Sequence, residues 1–122
     1  MVPRLLAPYR ATRWALPPLP AGPLVIIGAW NPRSRQLSCS ANLARERRLL
    51  HQLPDRPRAV VGAAADGAWA ERMWLIAHER RRTMTLLRRF GQYAAVERAG
   101  GVWRLLWVSG QRSVIGSLLR LP

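Results

Sequence analysis

A polar loop directly follows the most hydrophobic stretch of the chain. The apolar run covers residues 24–30. It is followed by Asn31 and a proline, and then by Arg33, Ser34 and Arg35. Asparagine followed by proline favours a β-turn, because proline fixes its own backbone angle and the asparagine side chain bonds nearby backbone groups. Loop amides can form a cradle for anions, and guanidinium groups bind phosphates and carboxylates. The loop therefore predicts a site for a phosphate or a carboxylate.

Three polar residues from other parts of the chain are expected to lie close to this loop in the folded protein. His78 ends a predicted strand, Gln92 begins another, and Asn42 lies early in a predicted helix. If the two central strands of the sheet are parallel, their ends and both helix N-termini meet at one edge, where free N–H groups attract anions. The alternative is that the amide side chains satisfy backbone groups at turns and caps. The predicted ligand-binding residues are Asn31, Arg33, Ser34, Arg35, Asn42 and Gln92.

The amino-acid sequence contains few features that indicate a catalytic site. His78 is a weak candidate for an acid or base, and no carboxylate that would orient it is evident. Glu71 begins the strand that His78 ends, so it is expected at the opposite edge and paired with an arginine. The sequence shows no nucleophile–base set, phosphate loop or zinc motif, and no cofactor or metal is predicted. Whether the protein is an enzyme stays uncertain, and a small-molecule enzyme that uses Asn31, His78 and Gln92 is an alternative.

Charge is the second signal. The chain has 20 basic residues, all of them arginine, and 6 acidic residues, which gives a formal charge of +14. Arg81 and Arg88, and likewise Arg82 and Arg89, are seven residues apart and so share one helix face. Such a stripe can follow a phosphate backbone, which predicts an anionic ligand, with nucleic acid or a nucleotide favoured over other phosphorylated molecules. The alternatives are a solvated helix face that reflects composition, and an interaction subunit that binds an acidic protein.

Two tryptophans and the single cysteine are the remaining residues of interest, and the tryptophans allow two interpretations. Trp103 and Trp107 lie on one face of a predicted strand, where their rings either stack on bases or form core or interface. Cys39 is the single cysteine, so it cannot form an internal disulfide, and it is expected to be a small buried hydrophobic residue. A reducing compartment is compatible with this cysteine content.

Hydrophobic patterning predicts an α+β protein. From residue 24 the order is strand, helix, strand, strand, helix, strand, which is typical of a split βαββαβ, or ferredoxin-like, core. In that fold two helices pack on one mainly antiparallel sheet, which extra flanking strands would widen. The predicted elements are strands at 9–16, 24–30, 59–64, 73–78, 92–98 and 102–108, helices at 38–53 and 80–90, a proline-rich connector at 17–23, and a tail at 109–122 whose structure stays open.

The length of the chain fits a single domain. We expect one domain at 1–122, with its core at 24–108. Pro3 and Pro8 interrupt the apolar residues near the N-terminus, so no signal peptide is predicted. The longest apolar run is far shorter than the about 20 residues that span a bilayer. We therefore expect a cytoplasmic protein without a membrane segment, and its oligomeric state stays open.

Two stretches, AWNPRSRQLSCSAN (29–42) and RRFGQYAAV (88–96), resemble an uncharacterised bacterial family, the domain-of-unknown-function family 3293. The resemblance covers roughly residues 24–108 and rests on Ala29, Asn31, Pro32, Ser34, Asn42, Trp69, Glu71, Phe90, Gly91, Gln92 and Ala94. This chain has Tyr93 where members of the family have asparagine, and Arg72 and Met73 also depart from the pattern. If that asparagine contacts a ligand, binding is weakened or altered here. The family has no established activity, so the resemblance implies a fold and candidate positions but no function.

Overall fold

The computed structural model describes residues 3–54 and 56–121. The predicted domain 1–122 also includes Met1, Val2, Asp55 and Pro122, which lie outside the described residues. In chain order, the elements are α1 (Pro3–Ala11), β1 (Arg13–Ala15), β2 (Leu24–Ile27), a short 3-10 turn (Pro32–Ser34), α2 (Cys39–Leu50), β3 (Arg58–Ala63), β4 (Ala70–Ala77), α3 (Arg80–Arg89), β5 (Ala94–Ala99), β6 (Val102–Trp107), β7 (Arg112–Gly116) and β8 (Leu119–Arg120).

The strands form one eight-stranded sheet in the order β7-β6-β5-β2-β4-β3-β1-β8. All neighbouring strands are antiparallel except β1 and β8, which pair in parallel. The β5–β6 connection is a hairpin turn at Gly100 and Gly101, which have φ of 60° and 78°. Two consecutive positive φ angles are typical of a tight hairpin turn, and glycine adopts them without steric cost.

The predicted fold class is wrong. The chain is not a two-helix ferredoxin-like core, because its sheet is a curled, mixed half-barrel of eight strands and its helices are small. The N-terminal region and the tail contribute β1, β7 and β8 to that sheet, and β1–β8 is a parallel pair. Curling creates a second apolar core on the face opposite α2 and α3, so the sheet is not a single layer with one solvated face.

The two central strands, β2 and β4, also run opposite to the prediction. They pair antiparallel, with Leu24 opposite Ala77 and Ile27 opposite Trp74. The reason is that β3 and β4 form an antiparallel hairpin, while β2 and β3 point the same way on either side of β4. The end of β2 therefore meets the start of β4, and this relation decides which polar residues lie together.

The two faces of the sheet support separate cores. Alternate residues of β2 divide between them, because successive side chains in a strand point to opposite faces. The first core, under α2 and α3, contains Val25, Ile27, Leu49, Leu86, Leu87, Phe90 and Leu106. The second core, inside the curl, contains Trp14, Leu24, Ile26, Val60, Leu75, Trp103, Leu105 and Trp107, with Leu6 and Tyr9 of α1 packed against it.

The helix α3 is amphipathic, as predicted. Its first turn is capped by Glu79, whose carboxylate accepts the N–H groups of Arg81 and Arg82 at 3.0 and 2.8 Å. Leu86 and Leu87 are buried against the sheet, together with Thr83, Met84 and Phe90. Burial of one whole face fixes the position of the helix and of the arginines on its other face.

The helix α2 has an unexpectedly polar inner face. Ser38 caps it by accepting the N–H of Ala41 at 3.2 Å. Asn42, Glu46 and Leu49 are the buried residues, so two of the three are polar. Leucines form only part of this face, because α2 uses polar side chains to contact β4 and the loop after β2.

The N-terminal region also differs from the prediction. The stretch at 9–16, predicted as an edge strand, contains the end of α1 and the short β1, and β8 pairs along the outer side of β1. The connector at 17–23 contains no helix or strand, as predicted. Within residues 3–54 and 56–121, no helix is long and apolar enough to cross a membrane.

Candidate functional site

Asn31 organises a polar junction at the end of β2. Its side-chain oxygen accepts the N–H of Leu37 at 3.0 Å and the Nδ2–H of Asn42 at 2.9 Å. Its own Nδ2 donates to the Glu71 carboxylate at 2.9 Å, and its backbone N–H donates to Oδ1 of Asn42 at 3.0 Å. The two asparagines thus bond each other twice and join β2, α2 and β4.

The loop after Asn31 has a strained backbone. Asn31, Arg33 and Ser34 have backbone φ angles of 47°, 52° and 61°. Residues other than glycine rarely adopt this left-handed region. The N–H groups of Arg33, Ser34 and Arg35 donate to backbone carbonyls at 2.8 to 3.0 Å. Because these amides are used within the protein, they do not form an anion cradle. A ligand at this loop would meet the exposed side chains of Arg33, Ser34 and Arg35.

Gln92 and Arg45 close the same junction from the other side. Nε2 of Gln92 donates to the carbonyls of Trp30 and Phe90, each at 3.1 Å. Arg45 donates from Nε to the Ala29 carbonyl at 2.6 Å and also donates to the Phe90 carbonyl. Asn31, Asn42 and Gln92 thus lie in one region, and the hydrogen bonds described for their side chains satisfy groups within the protein.

Glu71 belongs to this junction, which the sequence analysis did not predict. Burial raises the pKa of the Glu71 carboxyl, and the hydrogen bond from Asn31 partly opposes that rise. Burial and the neighbouring Glu71 and Tyr93 raise the pKa of Tyr9 to about 12. The hydroxyl of Tyr93 donates to the Arg33 carbonyl at 3.3 Å. The antiparallel pairing of β2 with β4 brings Glu71 to Asn31, so its expected place at the opposite edge is wrong.

Glu46 connects α2 to β4 beside the junction. Its carboxylate is 3% exposed and accepts from Nε of Arg72 at 2.7 Å, from a second Arg72 nitrogen, and from Nε1 of Trp74 at 3.1 Å. Burial alone would raise the pKa of Glu46, but the hydrogen bonds from Arg72 and Trp74 hold it below its usual range. The pair is structural, because every contact described for Glu46 lies within the protein.

His78 lies away from the junction. Its backbone N–H donates to the Pro23 carbonyl at 3.0 Å, which places it at the start of β2 rather than at its end. Its expected convergence with Asn31 and Gln92 is therefore wrong, and the antiparallel central strands are the reason.

His78 does have a carboxylate partner, which the sequence analysis did not identify. Nε2 of His78 lies 2.6 Å from Glu97, which also pairs with Arg112, and Nδ1 lies 3.2 Å from the Thr83 hydroxyl. Burial alone would raise the pKa of Glu97, but Arg112 and His78 hold it below its usual range. The order Glu97–His78–Thr83 resembles a catalytic triad, but Thr83 is fully buried and its hydroxyl donates to the Glu79 carbonyl. Thr83 therefore cannot reach a substrate.

The predicted arginine stripe lies on the outer face of α3. Arg81, Arg88 and Arg89 are exposed, and Arg82 is half-buried with Nη2 donating to the Ala77 carbonyl at 2.6 Å. A shallow groove of about 440 Å³ runs along this face, lined by Gln52, Glu79, Arg81, Arg82, Thr85, Leu86 and Arg89. Within the described part of the chain, no carboxylate lies within 4.0 Å of these four guanidinium groups.

The solvent exposure of Trp103, Trp107 and Cys39 tests the remaining predictions from the sequence. Trp103 and Trp107 are 7% and 2% exposed, so they belong to the core inside the curl and form no surface patch. Cys39 is exposed at the start of α2, so its expected burial is wrong. By spacing, Cys39 shares the helix face of Asn42 and Glu46, but it is the first residue of α2 and the buried part of that face begins at Asn42.

Together these features define a small basic protein with a curled mixed sheet, a polar junction at one end and an arginine-rich helix on one face. Residues 27–95 match the family model described as protein of unknown function (DUF3293), and since the match covers more than half of the chain, the protein belongs to that family. The matched region contains Asn31, Asn42, Glu71 and Gln92, so it contains the whole junction, and it also contains α3. No curated protein and no solved structure gives a match to this chain.

Proposed function

We propose that the protein binds nucleic acid through the α3 arginine surface, defined as Arg81, Arg82, Arg88 and Arg89. The observation that carries the proposal is that these cations lie side by side on one helix face and that, among the described residues, none of them forms an ion pair within 4.0 Å. The Glu79 carboxylate interacts with the charges of Arg81 and Arg82 at the start of this face. Arginine suits phosphate recognition because its planar guanidinium donates two parallel hydrogen bonds.

The distribution of acidic groups strengthens the positive field outside the molecule. Glu46 and Glu97 are buried in ion pairs and Glu71 is half-buried, whereas most arginines face solvent. Glu79 is exposed beside the surface, but its carboxylate accepts two backbone N–H groups of α3. With a formal charge of +14, the net field around the protein attracts polyanions.

The test compares binding of a labelled DNA duplex by fluorescence anisotropy. The variant Arg81→Gln/Arg88→Gln removes two exposed guanidinium groups and leaves the buried face of α3 intact. We expect its affinity to fall by at least about tenfold at moderate salt, because two phosphate contacts are lost.

A matched control is Arg13→Gln/Arg120→Gln, which removes the same charge from β1 and β8 at the far edge of the sheet. Its affinity is expected to stay within a factor of about two of wild type, since these strands are remote from α3. Equal weakening of the two variants would show that net charge alone governs binding and would contradict an interface on α3.

A second candidate function, a small-molecule site, is favoured by the junction at Asn31. There the Glu71 carboxyl is half-buried, held by the Asn31 amide, and close enough to the Tyr9 phenol to add to the rise that burial causes in the Tyr9 pKa. A carboxyl of raised pKa near a phenol of raised pKa, that of Tyr9, suits proton transfer, with Glu71 in the role that the sequence analysis gave to His78.

Native mass spectrometry of the purified protein tests this second candidate. Glu71→Gln keeps an oxygen that can accept from Asn31, so the variant is expected to fold. A small molecule carried by wild type should be absent from Glu71→Gln and retained by Glu46→Gln, which changes the carboxyl outside the junction. Retention by Glu71→Gln would exclude that carboxyl from the site.

A further inference from the structure

We propose that the α3 arginine surface recognises double-stranded rather than single-stranded nucleic acid. This inference rests on the proposed function and names its substrate class. It depends on where the structure places the aromatic side chains and on how the arginines are spaced along a helix that is packed on the sheet.

Proteins that bind single strands combine basic grooves with aromatic side chains on which unpaired bases stack. The outer face of α3 carries arginines and Thr85 and no aromatic residue. Trp14, Trp103, Trp107 and Phe90 are buried in the two cores. Among the residues that the structure describes, the one exposed aromatic side chain is Trp69, in the turn between β3 and β4. The surface thus offers charge without a stacking platform.

The half-buried aromatic residues do not supply such a platform either. Three of the four are held by contacts within the protein: Nε1 of Trp74 donates to Glu46, the Tyr93 hydroxyl donates to Arg33, and Tyr9 packs edge-on against Trp107 with ring centroids 5.7 Å apart. The fourth, Trp30, lies just after the end of β2 and not on α3. Unpaired bases would therefore remain in solvent next to α3.

The spacing of the arginines suits the fixed phosphates of a duplex. Arg81 and Arg88 are separated by seven residues, or about 10.5 Å along the helix axis. This distance is comparable to the width of about 12 Å of the B-DNA major groove, across which two phosphate rows face each other. Because the opposite face of α3 is buried at Leu86 and Leu87, the backbone positions that carry the arginines are fixed relative to one another. A duplex meets this surface without ordering, whereas a single strand must be ordered without compensation from stacking.

The experiment is competition against a fluorescein-labelled, mixed-sequence DNA duplex, followed by anisotropy. Unlabelled duplex and unlabelled oligo-deoxythymidine are compared as competitors at equal phosphate concentration. We expect the duplex to compete at least about tenfold better, because unstacked bases gain nothing at this surface. Trp69→Ala is expected to leave binding of both probes unchanged.

The outcomes separate the inference from the proposed function. Equal or better competition by the single strand, with both probes weakened in Arg81→Gln/Arg88→Gln, would overturn the duplex preference and leave the α3 surface standing. Loss of single-strand binding in Trp69→Ala would also overturn it, because a stacking residue would then be in use. Failure of the wild-type protein to bind either probe at low salt would remove the proposed function itself, and the surface would then be one for an acidic protein or for solvent.

Discussion

At the scale of single residues, Asn31 shows how one side chain fixes a junction of three elements. It lies at φ 47° in the left-handed region, which asparagine tolerates better than most residues because its short side chain bonds locally. Its side-chain nitrogen donates to Glu71 and its side-chain oxygen accepts from Asn42, so one amide group holds both residues in place. Loss of the side chain would leave the Nδ2 group of Asn42, which is 4% exposed, without its Asn31 partner.

Asn31→Ala should therefore destabilise the protein strongly. We expect a loss of about 2 to 4 kcal/mol in the free energy of unfolding, because buried donors and acceptors lose their partners. Asn31→Gly loses the same hydrogen bonds but accepts a positive φ, so it should be about 1 kcal/mol more stable than Asn31→Ala. Urea unfolding of both variants measures these differences. An alanine variant as stable as wild type would show that the junction is not structural.

At the scale of elements, the pair of Glu46 and Arg72 holds α2 against β4. The two ends of the pair are unequal, because the Glu46 side chain is 5% exposed and that of Arg72 is 45% exposed. Water can solvate Arg72 when its partner is removed, but it cannot reach Glu46. Removal of the arginine is therefore the more costly change.

Arg72→Met should lower the free energy of unfolding at neutral pH by about 3 kcal/mol, since it leaves a buried carboxylate without its ion pair. Glu46→Gln keeps an acceptor for Trp74 and should cost only about 1 kcal/mol. Urea midpoints at neutral pH test the order of the two variants. The reverse order would show that the unpaired buried carboxylate is not the main cause of the destabilisation.

The same pair predicts a pH dependence with a definite sign. The pKa of Glu46 is lowered on folding, so the stability that it contributes is present above its usual value of 4.5 and is lost as the pH falls through the lowered value. Protonated Glu46 needs no cation, so the difference between wild type and Arg72→Met should shrink as the pH falls below that range. A difference independent of pH would mean that Arg72 acts through packing alone.

At the scale of the whole molecule, local patterns predicted more than long-range pairing did. The amphipathic face of α3 and the hairpin at Gly100 and Gly101 follow from spacing and turn chemistry within a few residues, and both are confirmed. The half-barrel could not be predicted, because the parallel pairing of β1 with β8 joins residues 13–15 to the tail at 119–120. No local pattern specifies such a pairing.

The site was predicted in part for the same reason. Asn31, Asn42 and Gln92 were recognised by their positions at a turn, in a first helical turn and at a strand start, and the structure places them together. Glu71 and His78 were exchanged because the direction of β4 relative to β2 depends on a hairpin partner, not on either strand alone. The spacing of Asn42, Glu46 and Leu49 could have shown that α2 has a polar inner face.

The whole molecule also determines how the central proposal is best tested, because binding through phosphates releases counterions in proportion to the contacts made. The measurement is the slope of log affinity against log salt concentration for duplex DNA, in wild type and in Arg81→Gln/Arg88→Gln. An interface on α3 predicts a steep slope for wild type and a slope shallower by about two in the variant, one for each lost contact. An unchanged slope in the variant would contradict the α3 arginine surface as the binding site.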